Sequence, residues 1–194
     1  MEVAGFITAG GRSSRMGRDK AWLRLGASTM IERVIAALKP ATRSLAIIAN
    51  SPEYETLGLP VFRDTYEGIG PLEAIRTALS NSPTRHVLLA GCDLPFVTSE
   101  LFSFLIGLAG DYQSVVPRGA DGRLEPLCAV YATDALPDLI QLIESGERKV
   151  SRLFDLIPTR FVDFQELNHL EGASLFFENI NTPEEFARAI KLIT

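Results

Sequence analysis

The chain has 194 residues, of which 46% are hydrophobic and 22% are charged, and its formal net charge is −5. This length allows a core that needs no disulfide or metal, and the acidic balance argues against general nucleic-acid binding. No apolar run reaches the ~18 residues of a membrane span. Cys92 and Cys128 lie in apolar surroundings without metal-ligand spacing. We therefore expect a cytoplasmic protein with neither nucleic acid nor membrane among its partners.

Strand-like and helix-like segments alternate through the first half of the chain. Short apolar runs predict four strands, at residues 3–7, 45–49, 61–62 and 86–90. The last of these runs is apolar throughout, as a strand buried on both faces of a parallel sheet should be. Helices are predicted after Thr29, which opens a capping-box pattern, after Gly70, and after Thr98.

The pattern changes beyond residue 110. Strand-like segments are predicted at residues 114–116, 126–131 and 161–164, with helices at 133–144 and 150–156 and a final helix that begins at Thr182-Pro183. The order of elements predicts an α/β fold, a single Rossmann-like three-layer α/β/α domain over residues 1–194. Its central sheet should be mostly parallel, with an antiparallel strand in the C-terminal half.

The segment after the first predicted strand carries the most information about function. Gly10 and Gly11 allow a sharp turn and a close approach of the backbone to a ligand. Four cations and one acid follow within nine residues, namely Arg12, Arg15, Arg18, Lys20 and Asp19. Backbone N–H groups can cradle phosphate oxygens while the cations neutralise their charge. The segment predicts a polyphosphate site; the alternative is an exposed basic turn.

The glycine spacing excludes two familiar phosphate loops. Gly11 and Gly17 are separated by five residues and Lys20 comes three after Gly17, which does not fit a Walker A loop. Gly10-Gly11 likewise does not supply the Gly-x-Gly-x-x-Gly spacing of a dinucleotide fold. The segment is therefore a phosphate loop of another kind.

Polar or glycine-rich segments follow four of the predicted strands. In open parallel sheets ligands bind beyond the carboxyl ends of the strands, and Gly10, Asn50, Asp64 and Asp93 would all lie there. Asp93 is a suitable oxygen ligand for Mg²⁺, although a carboxylate here could instead cap the following turn. Histidines are given no role. Because no general base is evident, the chemistry suits an acceptor that is already anionic, such as a phosphate.

Residues 8–20 resemble the signature of the sugar-nucleotide-type nucleotidyltransferases, and within that group they are most similar to the molybdenum cofactor guanylyltransferases. Further matching blocks lie along the chain, at Gly70-Pro71-Leu72 and at residues 92–95, 125–127, 146–148 and 179–183. The chain departs from the family pattern at Thr8, where Leu is usual, and at Ala74, where many members have Gly.

The resemblance implies transfer of GMP from GTP to the terminal phosphate of molybdopterin carrying molybdenum, with release of pyrophosphate and a requirement for Mg²⁺. It implies that Arg15, Lys20 and Asp93 are catalytic and that Asp93 holds the metal. The residues implied to contact the nucleotide are Thr8, Ala9, Gly10, Gly11, Lys20, Asn50, Asp64, Gly70, Pro71, Leu72 and Asp93. Those implied to face the acceptor are Arg148, Asn179 and Asn181.

The resemblance further implies a nucleotide-binding half at residues 1–110 and an acceptor-binding half at 111–194. GTP and molybdopterin are the expected partners, together with transient contacts to other proteins of cofactor biosynthesis or molybdoenzyme maturation. Two alternatives stay open. The base could be cytosine or the acceptor another phosphorylated metabolite, or the chain could be a non-catalytic nucleotide-binding protein.

Overall fold

The computed structural model describes residues 1–10, 19–65 and 69–193. Its strands are β1 (Val3–Thr8), β2 (Arg24–Leu25), β3 (Ser28–Thr29), β4 (Ser44–Ile48), β5 (Val61–Phe62), β6 (His86–Gly91), β7 (Ser114–Pro117), β8 (Cys128–Ala132) and β9 (Thr159–Val162). Seven of them form one sheet in the order β5-β4-β1-β6-β8-β7-β9, and β2 and β3 form a separate pair. The α/β class and the central sheet are as predicted.

Strand direction brings most strand ends to one edge of the sheet. β8 is antiparallel to both of its neighbours, and every other pairing in the sheet is parallel. The carboxyl ends of β5, β4, β1, β6, β7 and β9 therefore lie together with the amino end of β8. We call this side of the sheet the carboxyl edge.

Helices cover both faces of the sheet. They are α1 (Met30–Leu38), α2 (Pro71–Ser80), α3 (Ser99–Gly107), α4 (Leu136–Glu144), α5 (Ser151–Phe154), α6 (Phe164–Leu167) and α7 (Pro183–Leu192). α1 packs with α3, and α2 packs with α4. Side chains alternate along β1, so that Val3 and Ile7 join the core under α1 and α3 while Ala4 and Phe6 join the core under α2 and α4. The three predicted layers are thus present.

Local sequence explains where α1 begins and ends. The Thr29 hydroxyl accepts a hydrogen bond from the Glu32 N–H at 3.3 Å, and the Glu32 carboxylate accepts from the Thr29 N–H at 2.7 Å. This is the capping box that the sequence predicts. The helix then buries Ile31, Val34 and Leu38, and Pro40 follows its end.

Three predicted elements in the second half have other bounds in the structure. β8 begins at Cys128, since Cys128 N–H donates to the Glu125 carbonyl in a turn that precedes the strand. β9 ends at Val162, because Asp163 is the N-cap of α6, a helix that the sequence did not predict. The helix predicted over 150–156 is limited to α5.

None of the helices in the described ranges is long and apolar enough to cross a membrane.

Candidate active site

Backbone hydrogen bonds hold three strand ends together at the centre of the carboxyl edge. The Cys92 N–H donates to the Thr8 carbonyl at 3.0 Å, and the Ala9 N–H donates to the Ile48 carbonyl at 2.9 Å. The ends of β6, β1 and β4 are thereby fixed side by side. Gly10 follows with φ +78°, a left-handed conformation that favours glycine. Gly11 and Arg15, which the sequence also placed in this loop, lie outside the described residues.

Lys20, Asp93 and Asn181 meet at this point of the edge. Lys20 Nζ donates to Asp93 Oδ2 at 2.8 Å and to Asn181 Oδ1 at 2.7 Å. The Lys20 side chain is 14% exposed and that of Asp93 is 22% exposed, so the pair is only partly open to solvent. We call these three residues the Lys20 cluster. It combines a cation for phosphate with a carboxylate and an amide oxygen.

Asp19 and Tyr54 position Lys20. Asp19 caps the 3₁₀ turn Lys20–Trp22 by accepting from the Ala21 N–H at 3.0 Å, and its other carboxylate oxygen accepts from the Tyr54 hydroxyl at 2.6 Å. Burial of Tyr54, reinforced by this hydrogen bond, raises its pKa, so the hydroxyl stays a donor. The Trp22 ring stacks on Tyr54 with 5.3 Å between centroids. No motif in the sequence marks Tyr54 for this role.

The geometry around Asp93 explains the glycine two residues before it. Gly91 N–H donates to the Leu127 carbonyl at 2.7 Å, and the Asp93 carbonyl accepts from the Ile180 N–H at 3.0 Å. These two bonds hold the turn between the segments that carry Glu125 and Asn181. A Cβ at Gly91 would lie 2.4 Å from Asp93 Oδ1, so a larger residue there would displace the carboxylate. The sequence left open that Asp93 only caps the following turn. Its hydrogen bond from Lys20 is a long-range contact that a turn cap does not need.

Oxygen donors of the Lys20 cluster suit a hard divalent ion. Mg²⁺ is held in nucleotide sites by one or two carboxylates, with phosphate oxygens and water completing its shell. Asp93 supplies one carboxylate, and Asn181 supplies an amide oxygen beside it. Within the described ranges no group of three or more His, Cys, Asp or Glu side chains could hold a metal. One carboxylate with an amide oxygen beside it fits an ion whose other ligands are phosphate oxygens and water.

Glu125 is a second acid near Asp93, and it was not among the site residues expected from the sequence. It is 9% exposed, and burial raises its pKa to about 7. The negative charges of Asp93 and Asp121 act in the same direction, while a hydrogen bond from Asn179 and the charge of Arg123 act in the opposite one. The Glu-Pro-Leu block at 125–127, which matches the family, was the sequence signal that could have pointed to Glu125. Its burial was not evident from the sequence.

The chain is similar to proteins of known family along most of its length. The family described as the MobA-like NTP transferase domain matches residues 5–161. The chain belongs to this family. A "probable molybdenum cofactor guanylyltransferase" of Carboxydothermus hydrogenoformans is 34% identical over 188 residues, which cover 97% of this chain and 95% of the relative. The resemblance found in the sequence is confirmed.

Solved structures show the same MobA-like fold. Molybdopterin-guanine dinucleotide biosynthesis protein A from Archaeoglobus fulgidus aligns with a TM-score of 0.82 at 26% identity, covering 100% of this chain and 98% of that one. Rv0371C of Mycobacterium tuberculosis, solved in complex with manganese, aligns with a TM-score of 0.68 at 16% identity and 98% coverage of each chain. The second likeness is one of fold alone.

In this MobA-like chain, other residues expected to contact the nucleotide lie on the β5 side of the Lys20 cluster. Asn50 and Asp64 follow β4 and β5, so both lie on the carboxyl edge. Asp64 accepts a hydrogen bond from the Thr77 hydroxyl at 3.0 Å, and burial raises its pKa. Gly70 precedes α2 with φ +76° and Pro71 begins the helix, whereas the Leu72 side chain is fully buried in the core.

The residues expected to face the acceptor are not all brought together. Asn181 belongs to the Lys20 cluster, and Asn179 donates to the Phe177 carbonyl at 3.3 Å and to Glu125. Arg148 is exposed between α4 and α5, where its Nη1 donates to the Glu147 carbonyl at 2.7 Å. The described contacts therefore join the two asparagines, but not Arg148, to the surroundings of Asp93.

Proposed function

We propose that this chain transfers GMP from GTP to the terminal phosphate of molybdopterin carrying molybdenum, forming the guanine dinucleotide cofactor and releasing pyrophosphate. The Lys20 cluster carries the proposal, because it places a cation and a metal-type carboxylate beside the left-handed Gly10 turn. The names of the full-length relatives supply the substrates.

The reaction needs positioning and charge neutralisation more than covalent help. An oxygen of the acceptor phosphate forms a bond to the α-phosphorus of GTP, and the bond from that phosphorus to the bridging oxygen of the β-phosphate breaks. The electron pair leaves with pyrophosphate. The attacking phosphate is already anionic, so no general base is required. Neither histidine is placed to act as a base at Asp93, since His86 begins β6 at the opposite edge of the sheet and His169 packs against Phe104.

Lys20 and Asp93 would divide the work at the phosphates. Asp93 would hold Mg²⁺, which when bound supplies positive charge to the phosphate oxygens. Lys20 Nζ now bonds to Asp93 Oδ2 and would turn toward a phosphate oxygen as a point charge. Asp19 and Tyr54 would keep the Lys20 backbone in place during this exchange, because they hold the turn rather than the ammonium group.

The order of strands divides the carboxyl edge into two regions. Asn50 and Asp64 lie on the β4–β5 side of Asp93, which would take the nucleoside. The ends of β7 and β9, with the start of β8, lie on the other side and would take the acceptor. Asp93 stands between them, where the α-phosphate and the attacking oxygen must meet.

The direct test uses purified protein with GTP, Mg²⁺ and molybdopterin carrying molybdenum. We expect equimolar pyrophosphate and dinucleotide, and a loss of at least about 100-fold in kcat for Asp93→Asn, since metal and phosphate positioning both depend on this carboxylate. Asp134→Asn is the control, because Asp134 is an exposed acid just after β8, at the opposite edge of the sheet. Equal turnover of Asp93→Asn and the native protein would refute the proposal.

The same assay separates the two alternatives. Faster turnover of CTP than of GTP would indicate a cytidylyltransferase and would give Ala74, buried in α2, a part in base selection. Tight GTP binding with no pyrophosphate, in the presence of the acceptor, would indicate a non-catalytic carrier.

Cys92 and Cys128 are free and buried, which fits a reducing compartment such as the cytoplasm. We propose that the reaction, and the transfer of its product to partner proteins, take place there.

A further inference from the structure

A groove of about 500 Å³ lies on the carboxyl edge beyond the Lys20 cluster. Its walls are residues 118–124, which follow β7, and residues 163–165, which follow β9. The two walls are tied together, because the Arg118 N–H donates to the Val162 carbonyl at 2.9 Å and extends the parallel pairing of the strands. We call it the β7–β9 groove. No residue of this groove was among those that the sequence analysis assigned to the acceptor.

The position of the groove matches one end of a long acceptor. Neighbouring strands lie about 4.8 Å apart, and β8 separates β6 from β7. The groove therefore begins about 10 Å along the edge from the strand that delivers Asp93, and β9 lies about 14 Å away. It is on the side away from Asn50 and Asp64. An acceptor with its phosphate at Asp93 would place its opposite end in this groove.

The two charged side chains that line the groove, Arg118 and Asp163, form an ion pair, so the groove carries no net charge. Arg118 Nη1 donates to Asp163 Oδ1 at 3.1 Å, and both side chains reach solvent, with 37% and 56% exposed. The guanidinium carbon of Arg118 lies over the Phe161 ring, 4.6 Å from its centre, in a cation–π contact. Because Asp163 balances the charge of Arg118, the groove suits a neutral polar ring better than a second phosphate.

We propose that the β7–β9 groove binds the pterin ring of the acceptor, with Arg118 and Asp163 bonded to its 2-amino-4-oxopyrimidine edge. That edge presents a carbonyl oxygen beside two N–H donors, so it can accept from the arginine and donate to the carboxylate. Leu124 and Phe164, which also line the groove, supply apolar surface for the faces of the ring. This inference rests on the proposed function and names the part of the acceptor that this site recognises.

Guanine carries the same edge, so the experiment must separate the two rings. The probe is 6-hydroxymethylpterin, a fluorescent pterin that is uncharged near neutral pH, titrated into the full chain without GTP and again with saturating GTP and Mg²⁺. We expect native protein to bind it and GTP to leave the affinity within about twofold, because the nucleoside would lie on the other side of Asp93. Displacement of the pterin by GTP would overturn the proposal in favour of a purine site.

Three variants locate the binding. Arg118→Met should weaken 6-hydroxymethylpterin binding about tenfold, the loss of one charge-assisted hydrogen bond. Ala120→Trp, in the exposed part of the loop, should fill the groove and weaken binding at least as much. Arg85→Met is the matched control, because Arg85 forms a similar exposed ion pair with Asp134 at the opposite edge, and it should bind the pterin as native protein does.

The same titrations with GTP distinguish failure of this inference from failure of the proposed function. All three variants should bind GTP like the native protein, and thermal melting shows that each is folded. No pterin binding by native protein, or equal binding by Arg118→Met, would overturn the inference even if GMP transfer proceeds normally. Arg118-dependent pterin binding without GMP transfer would leave the groove in place and refute the proposed reaction.

Discussion

Replacing Gly91 by alanine should disable the site while leaving the fold intact. Gly91 ends β6, and a Cβ there would lie 2.4 Å from Asp93 Oδ1, where ordinary contacts begin at 3.4 Å. The carboxylate must therefore move by about 1 Å, and a misplacement of that size can cost about 100-fold in rate. We expect kcat for pyrophosphate release to fall by about two orders of magnitude in Gly91→Ala.

The matched control is Gly107→Ala at the end of α3, where an added Cβ would meet nothing within 4 Å. It should keep native kcat and gain up to about 1 kcal/mol of stability, since alanine restricts the unfolded chain. Both proteins would be compared by steady-state pyrophosphate release and by thermal melting. A Gly91→Ala protein within threefold of native kcat would refute the idea that Gly91 protects the Asp93 position.

Three further predictions concern the surroundings of the cluster and the fold. Tyr54→Phe removes the 2.6 Å hydrogen bond to Asp19 and should cost about 1–3 kcal/mol in urea unfolding, with a lower kcat because the Lys20 turn loosens; an unchanged kcat would mean that Tyr54 serves packing alone. Glu125 has a pKa raised from 4.5 to about 7, so the folded state holds its proton more tightly, and stability should fall as pH rises from about 4.5 to about 7, by at most about 3 kcal/mol. Glu125→Gln should lose this slope when nucleotide-free protein is melted across that range, and an identical slope would contradict the assignment. Thr29→Ala should cost about 1 kcal/mol, the value of an N-cap, with no change in kcat.

Elements with a strong local pattern were predictable from the sequence. The all-apolar run at 86–90 became the buried strand β6, and the capping box at Thr29 began α1 where expected. The strand order then places Gly10, Asn50, Asp64 and Asp93 on one edge, since parallel strands end on the same side. The two-residue strands β2 and β3 were missed because Arg24–Leu25 and Ser28–Thr29 are not apolar runs, unlike Val61–Phe62 of β5, and two residues are too few to show a period.

Long-range contacts were beyond the reach of local pattern. Lys20 and Asn181 are 161 positions apart, and the residues between them give no sign that the amide accepts from the ammonium group. The Asp19–Tyr54 bond and the burial of Glu125 depend on packing in the same way. The roles of Lys20, Asp93 and the other site residues, and the division into halves at residue 110, stay predictions that the experiments above test.

A crystal structure with a non-hydrolysable GTP analogue and Mg²⁺ is the most direct measurement of the central claim. We predict a metal ion on the Asp93 carboxylate, Lys20 Nζ within 3.2 Å of a phosphate oxygen as in an ordinary hydrogen bond, and the nucleoside between Asn50 and Asp64. A triphosphate bound away from the Gly10 turn, or an ion held by other residues while Lys20 stays on Asp93, would contradict it.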